Sequence, residues 1–249
     1  MATFKTPAVV LKTQDLNESD KLVCLFSEKL GKITAVAKGA KKSKSKFLSV
    51  TLPFCYCNYV VFRGKNLYNL VEAEVIDSFQ VFLNDLNTLT YASYLCELID
   101  ISMISEESNR ELFKEFITTF YFMKINAVSI ELLMRNFEVK LLKLTGFGLN
   151  LEHCAICKKK IKSSNYINVE YSGGICNSCS KFGSLKISNA SYNSLRFLTK
   201  VTTDKIYRLS LSDDILKELY EILSEFICHN YSRKPKSLEF LKNFNDSFI

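Results

Sequence analysis

Two CxxC pairs, separated by 18 residues, constrain this chain more than any other feature of its sequence. The first pair is Cys154 and Cys157, and the second is Cys176 and Cys179. Two residues between thiolates allow one tight turn to present both sulfurs to a tetrahedral ion, and a second turn completes the set of ligands. We therefore predict a zinc ion bound by four cysteines. Because no coordination position stays open, we expect this ion to be structural.

The residues around the four cysteines fit such a site. Gly173–Gly174, just ahead of the second pair, supplies backbone freedom, and the run Lys158–Lys160 would reduce the negative charge of an ion held by four thiolates. Two alternatives stay open at this stage. The four cysteines could be buried thiols or disulfides, and His153 could compete as a ligand, although its adjacency to Cys154 makes simultaneous coordination awkward.

The five other cysteines lie within apolar runs, which fits reduced thiols better than a disulfide framework. They are Cys24, Cys55, Cys57, Cys96 and Cys228. The apolar stretches are far shorter than the roughly 20 residues that cross a bilayer, and the first residues lack the pattern of a secretion signal. We therefore expect a cytoplasmic protein, whose 249 residues and 47% hydrophobic content are enough to fill real cores.

Short runs rich in β-branched and aromatic residues fill the first third of the chain and predict five β-strands. The runs lie at residues 6–13, 21–27, 32–38, 54–62 and 67–76. A long segment, residues 38–53, divides the third strand from the fourth. Five short strands in about 75 residues suit a small closed barrel such as an OB-fold, which we place at residues 1–80.

From about residue 80 the apolar residues recur with a helical period, first between Phe82 and Ile99. Further helices are predicted at residues 108–125, 129–145, 188–200 and 212–231, with Asn109 and Ser129 as N-caps and a stop at the GlyPheGly of residues 146–148. Residues 150–182 break the period and contain the cysteine pairs. The predicted fold is therefore α+β: an N-terminal five-stranded OB-fold barrel, then an all-helical C-terminal domain at residues 81–249 with an inserted four-cysteine zinc ribbon at 150–182.

Positive charge is concentrated in the first third of the chain. The formal net charge is +7, and residues 1–80 hold 12 lysines and arginines against 7 acidic residues. Five lysines, with no acid among them, fall within residues 38–46: Lys38, Lys41, Lys42, Lys44 and Lys46. Such a run is either a solvated, mobile loop or a phosphate-binding segment. Its position after the third strand of an OB-fold favours nucleic acid, and Arg63 and Lys65 could extend the patch.

Aromatic side chains near this basic segment are candidates for base stacking. They are Phe47, Phe54, Tyr56, Tyr59 and Phe62. Since the two faces of a strand alternate, these side chains cannot all face solvent, and we expect most of them to belong to the core.

Several segments together resemble the RecO family of bacterial recombination mediators. They are residues 17–33 (NESDKLVCLFSEKLGKI), 35–42 (AVAKGAKK), 52–54 (LPF), 94–100 (YLCELID), 135–157 (RNFEVKLLKLTGFGLNLEHCAIC) and 173–179 (GGICNSC). The likeness spans nearly the whole chain in the right order, and it is weakest in the last sixty residues.

The resemblance implies an OB-fold followed by a helical domain, DNA binding, and annealing of complementary strands. It also implies, together with RecR, the loading of RecA onto strands covered by single-stranded DNA-binding protein (SSB). Lys38, Lys41 and Lys42 match the family's basic loop, and the four cysteines match its zinc-binding members. Arg135 matches the basic residue that contacts the acidic tail of SSB. For a member of this family we expect no catalytic residues, and a place on the bacterial nucleoid.

Three other classes of function share part of this pattern. An enzyme acting on DNA has little support, because there are only two histidines, no Gly-rich phosphate motif and no acidic pair placed for two-metal chemistry. A transcriptional or RNA-binding factor with an OB-fold and a zinc ribbon would show the same composition and would prefer RNA. A structural adaptor would bind no nucleic acid even at low salt.

Overall fold

Five β-strands at the beginning of the chain close into a barrel with the order β1-β2-β3-β5-β4. Their bounds are Thr3–Asp15 (β1), Lys21–Ser27 (β2), Gly31–Ala37 (β3), Tyr56–Arg63 (β4) and Tyr68–Asp77 (β5). All neighbours are antiparallel except β3 and β5, and β1 closes the barrel by pairing with both β2 and β4. The structure is a computed structural model that describes residues 2–231, 233 and 235–237. The prediction of five strands is confirmed.

Side chains at alternate positions along the strands point into the barrel and fill it. Along β3, Ile33, Ala35 and Ala37 are buried and the intervening residues are partly exposed, as expected for a strand with one face turned to a core. The fourth strand begins two residues later than predicted. Phe54 has a φ of +69°, which is not an extended conformation, so the strand begins only at Tyr56.

An aromatic cluster joins the barrel to the residues that follow it, with Phe26 and Phe54 contributed by the barrel portion. The phenylalanines of this cluster are Phe26, Phe54, Phe79, Phe82, Phe113, Phe116 and Phe120, with ring centroids of neighbours 4.5–6.1 Å apart. A 3-10 helix (Gln80–Asn84) precedes α1 (Leu86–Ser102) and α2 (Arg110–Lys124). Helix α1 begins later than its apolar period, because the carboxylate of Asp85 accepts from the amide of Thr88 (2.7 Å) and caps it there.

The described residues form two compact units, divided between Phe120 and Tyr121. The first unit therefore holds the barrel together with residues 78–120, and the division falls well beyond the composition change near residue 80. The boundary at residue 80, which was predicted from that change in composition, stays a prediction about domains. Among the helices of the described residues, none is long and apolar enough to cross a bilayer.

The second unit contains α3 (Ile130–Leu144), α4 (Asn189–Lys200) and α5 (Asp213–Asn230). Helix α3 packs against both α4 and α5. The predicted caps are confirmed: Asn109 and Ser129 accept hydrogen bonds from the amides of Leu112 (2.9 Å) and Leu132 (3.3 Å). The predicted stop is confirmed as well, because α3 ends at Leu144 and Gly146 has a φ of +93°.

Between α3 and α4 the chain forms a small three-stranded sheet with the order β7-β6-β8. Its strands are Tyr166–Asn168 (β6), Gly173–Gly174 (β7) and Ser184–Lys186 (β8). The two CxxC pairs lie before β6 and between β7 and β8. We call residues 150–187 the cysteine module.

Candidate functional site

The four predicted cysteine ligands come together in the cysteine module. Their Sγ atoms all lie within 4.8 Å of one another, and those of Cys157 and Cys176 are 3.7 Å apart. Four thiolates at about 2.3 Å from a zinc ion occupy a tetrahedron with edges of about 3.8 Å. The arrangement therefore matches the size of a tetrahedral metal centre. Cys154 and Cys176 are buried, Cys179 is half-buried and Cys157 is exposed.

Local hydrogen bonds shape the two turns that present the sulfurs. In the first, the amide of Lys158 donates to the carbonyl of Cys154 (2.9 Å), and in the second the amide of Cys179 donates to the carbonyl of Cys176 (3.3 Å). These tight turns are what the CxxC spacing predicts. No histidine belongs to the group of ligand atoms, since His153 is exposed and only the cysteines form the cluster within the described chain.

The electrostatics around Cys154 suit a metal ligand. Burial raises the pKa of the Cys154 thiol, but hydrogen bonds from the backbone amides of Cys176, Cys157 and Ile156 lower it by more. The resulting pKa is about 6. The amide of Cys176 donates directly to this sulfur at 3.3 Å. The pKa of Cys176 is lowered as well, first by a hydrogen bond with Cys179, whereas that hydrogen bond is the main cause that raises the pKa of Cys179 to about 12. Because a metal ion binds the thiolate and not the thiol, the stabilised thiolates of Cys154 and Cys176 fit zinc.

The cysteine module is fixed to α4 by contacts that the sequence did not reveal. Arg196 donates to both carboxylate oxygens of Glu152 (2.9 Å each), and Lys200 donates to one of them (2.6 Å). These hydrogen bonds lower the pKa of Glu152 to about 2, with Lys200 the largest cause. No sequence pattern signals this pair, because Arg196 lies 44 residues after Glu152.

The ring of Tyr192 on α4 also lies close to the backbone of the cysteine module, which strengthens the attachment of the module to α4. The hydroxyl of Tyr192, on α4, donates to the carbonyl of Leu151 (3.0 Å). A Cβ at Gly174 would lie 2.2 Å from the same hydroxyl oxygen. The GlyGly sequence was predicted to supply backbone freedom for a turn. Both glycines instead form β7, and at Gly174 only glycine leaves room for Tyr192.

None of the five remaining cysteines forms a disulfide within the described residues. Four of them are buried and Cys228 is half-buried. Burial raises the pKa of Cys24 to about 11, with the carboxylate of Asp100 adding to the effect. A thiol that stays protonated at neutral pH is a poor nucleophile and a poor metal ligand, so Cys24 belongs to the core.

The predicted DNA-binding residues fall into two groups. Three of the cations already have partners: Lys41 contacts the Asp15 carboxylate (2.7 Å), Lys46 donates to the carbonyl of Val71 (2.9 Å), and Arg63 contacts Glu106 (2.8 Å). The other four are exposed, and no ion pair involves them within the residues that the structure describes: Lys38, Lys42, Lys44 and Lys65. The second group leaves four positive charges available to an anionic ligand.

The basic segment is tied to the barrel near both ends. The amide of Gly39 donates to the carboxylate of Asp20 (2.7 Å), and the hydroxyl of Tyr59 donates to the carbonyl of Val50 (2.5 Å). Phe47 and Val50 are buried in the barrel core. The lysines between these anchors are therefore displayed from an ordered segment.

The aromatic side chains considered for base stacking are mostly core residues, as expected. Phe47, Phe54 and Tyr59 are buried. Tyr56 and Phe62 are only half-buried, and the ring of Tyr56 packs 6.2 Å from that of Phe113. The sequence could not separate these roles, because aromatic residues fill cores and stack on bases equally well.

Arg135 lies inside the second unit, on α3. Its side chain is 4% exposed, and its guanidinium contacts the carboxylate of Glu138 (2.7 Å) and lies 4.7 Å from the centre of the Tyr220 ring. The same helix buries two further polar side chains, Asn136 and Lys140. The family resemblance assigned Arg135 as a contact for SSB, and in the structure its side chain contacts Glu138 and Tyr220 of this chain.

Comparison with known proteins covers almost the entire chain. Residues 1–79 match the family described as "Recombination protein O N terminal", and residues 83–239 match "Recombination protein O C terminal". A protein of Clostridium acetobutylicum named "DNA repair protein RecO" is 54% identical over 241 residues, which cover 97% of this chain and 98% of that relative. A protein of the same name from Caldanaerobacter subterraneus is 31% identical over 254 residues, covering 99% and 100%.

Proposed function

The chain belongs to the RecO family and has a role in DNA repair and recombination, and from this premise we propose that it binds DNA and anneals complementary strands. Both single-stranded and double-stranded DNA would be ligands. The observation that carries the proposal is the group of four exposed lysines on and beside the basic segment. None of the four forms an ion pair within the described chain, whereas Lys41, Lys46 and Arg63 contact Asp15, the carbonyl of Val71 and Glu106.

Phosphate binding by these lysines would be independent of sequence. A lysine ammonium group is a point charge that neutralises a phosphate and releases its counterions, and it reads no base edge. Annealing requires two polyanions to approach, and a basic surface that holds a strand loosely screens their repulsion. No bond is made or broken in this process, so we propose a mediator and not an enzyme.

We also propose that the barrel is an OB-fold and that residues 1–80 are the DNA-binding domain. A five-stranded closed barrel in which β1 pairs with both β2 and β4 supports this assignment. The basic segment leaves the barrel between β3 and β4. The remainder, residues 81–249, would be the helical domain, with a zinc-binding insertion at 150–182.

The cysteine module would hold one zinc ion through Cys154, Cys157, Cys176 and Cys179. When bound, the ion supplies four bonds that fix the two turns relative to one another, and it leaves no open position for a substrate. The amides around Cys154 would hold its sulfur as a thiolate. Glu152 and Tyr192 would then hold the module on α4.

The proposed partners follow from membership of the family. They are RecR, the acidic tail of SSB, and RecA through its loading onto single strands. Arg135 is our proposed contact for the tail. In the conformation described here the Arg135 side chain is 4% exposed and contacts Glu138, so a tail carboxylate would reach the guanidinium only after a local rearrangement. The protein would act in the cytoplasm, on the nucleoid.

The decisive experiment measures annealing of complementary DNA strands that are already coated with SSB, with and without the purified full-length chain, at two salt concentrations. We expect acceleration that weakens as salt rises, because phosphate contacts depend on counterion release. Unchanged annealing together with intact DNA binding would reduce the protein to a binding module. Stronger binding to RNA than to DNA would favour a transcriptional or RNA-binding factor instead.

A further inference from the structure

The turn that follows the second cysteine pair presents a phenylalanine to solvent. Phe182 is 93% exposed, more than any other large apolar side chain in the part of the chain that the structure describes. The turn is ordered, because the amide of Ser184 donates to the carbonyl of Lys181 (3.0 Å), and Gly183 supplies the positive φ of +66°. Phe182 therefore lies within a hydrogen-bonded β-turn just before strand β8, and its side chain faces solvent.

A large local excess of positive charge surrounds this turn. Between Glu152 and Asp204 the sequence has one acid, Glu170, and eight basic residues. Two of these, Arg196 and Lys200, are already paired with Glu152. The six others are lysines of the cysteine module: Lys158, Lys159, Lys160, Lys162, Lys181 and Lys186. Residues 81–249 as a whole hold 21 basic residues against 19 acidic ones, so their overall composition does not reveal this excess.

The cysteine cluster joins the two turns that precede the lysines and Phe182. Lys159 and Lys160 follow Cys157 directly, and Phe182 lies three residues after Cys179. The sulfurs of all four cysteines lie within 4.8 Å. Since consecutive Cα atoms are about 3.8 Å apart, Phe182 can be no more than about 11 Å from Cys179, Cα to Cα.

The lysines of this region differ in their availability. The ammonium groups of Lys158 and Lys181 donate to the carbonyls of Ala155 and Cys179 (2.7 Å each), so these two help to hold the turns. Lys159, Lys160 and Lys162 are exposed, and no ion pair occupies them within the described residues. Together with Phe182, these three lysines define what we call the knuckle surface.

We propose that the knuckle surface binds a single strand of nucleic acid, with Phe182 stacked on a base and the three lysines on phosphates. Basic side chains beside an exposed aromatic ring are the combination that binds single strands without sequence preference. The Phe182 ring is 93% exposed, so it gains almost no burial from packing within the protein, whereas a stacked base would cover one of its faces. An acidic peptide would pair with the charges of the lysines, but its carboxylates would not stack on the exposed ring of Phe182.

This inference rests on the proposed function and deepens it. Annealing needs both complementary strands, and the basic segment of the barrel provides a surface for one of them. The knuckle surface would provide a second, separate surface. The cysteine centre would then act in annealing by fixing the turns that present these side chains, without contacting DNA itself.

The test compares the full chain carrying Phe182→Ala, or Lys159→Gln with Lys160→Gln and Lys162→Gln, with the unchanged protein. A matched control is Phe197→Ala, because Phe197 is a 42% exposed phenylalanine on α4, outside the knuckle surface. Zinc content and thermal unfolding are measured for each variant, so that loss of the module is recognised separately. Binding of a labelled oligothymidine is measured in a Lys42→Gln, Lys44→Gln background to reduce the contribution of the basic segment.

We expect Phe182→Ala to weaken oligothymidine binding at least about fivefold and to slow annealing, with normal zinc content. Phe197→Ala should change neither. Unchanged binding and annealing in both knuckle variants, while the unchanged protein anneals DNA, would overturn this inference and leave the proposed function standing. Loss of binding to an acidic peptide, with DNA binding intact, would also overturn it. A chain that binds no DNA in any form would instead remove the proposed function.

Discussion

The ammonium group of Lys41 lies 2.7 Å from the carboxylate of Asp15, so one of the central charges of the basic segment is matched by an acid of β1. Hydrogen bonding by Lys41 is the main cause that lowers the pKa of Asp15. Lys42 and Lys44 are exposed and have no such ion pair in the described chain. The charge of Lys41 is therefore already paired with that of Asp15, whereas the charges of Lys42 and Lys44 can bind an external anion.

The first prediction concerns this difference. Lys42→Gln with Lys44→Gln should weaken binding to single-stranded DNA of any sequence, and should reduce the slope of log affinity against log salt by about 1.4. Lys41→Gln should have a smaller effect on the slope, because its charge is already paired. Binding titrations at several salt concentrations measure both. Equal slopes for the double variant and the unchanged protein would remove these two lysines from the DNA contact.

The second prediction concerns the metal centre. Cys176→Ser should reduce bound zinc from about one ion per chain to almost none, because a tetrahedral thiolate site loses a ligand. Amide hydrogen exchange should accelerate within residues 150–182 and much less within the barrel. Cys24→Ser is the control, since Cys24 lies in the other unit and should keep the zinc content unchanged. Normal zinc in Cys176→Ser would contradict the site.

The third prediction concerns an ion pair between the barrel and α1. The Asp100 carboxylate contacts Lys12 (2.6 Å) and Lys32 (3.5 Å), and its side chain is only 15% exposed. Burial raises the pKa of Asp100, but the two lysines lower it more. Asp100→Asn should destabilise the fold at pH 7 by about 1–3 kcal/mol, since it leaves partly buried ammonium groups without a counter-charge.

The pH dependence of this effect has a definite sign. A carboxylate with a lowered pKa in the folded state stabilises the fold above its ordinary value of 3.8, and this contribution disappears as pH falls through the lower folded value. The difference in unfolding free energy between the unchanged protein and Asp100→Asn should therefore be constant above about pH 5 and shrink towards pH 3. Denaturant unfolding at these pH values measures it, with the exposed Glu74→Gln as control. A difference that grew in acid would refute the assignment.

The fourth prediction concerns the anchor of the basic segment. The hydroxyl of Tyr59 is fully buried and donates to the carbonyl of Val50 at 2.5 Å. Tyr59→Phe leaves this carbonyl without its partner and should lower the free energy of unfolding by about 1–3 kcal/mol. Tyr171→Phe, at a 53% exposed position, should have almost no effect. Proteolysis within residues 38–53 should also become faster in Tyr59→Phe if the bond holds the segment.

The sequence by itself determined most of the larger elements and the grouping of the four cysteines. Strands, helices, caps and CxxC turns depend on neighbours a few residues apart, so their patterns are visible in a single chain. The matching of β2 with its predicted run and the cap at Ser129 are examples. Family membership could also be predicted, because the segments that resemble RecO occur in order along the whole chain.

Tertiary structure alone decided which charged and aromatic side chains are available. Lys41 is paired with Asp15 across 26 residues, and Arg196 with Glu152 across 44. Arg135 is enclosed by α3 and α5, whereas Phe182, of a residue type that usually fills cores, faces water. The physical reason is that burial and ion pairing depend on segments that are distant in sequence and pack together. No local pattern encodes which distant segment packs against a given side chain.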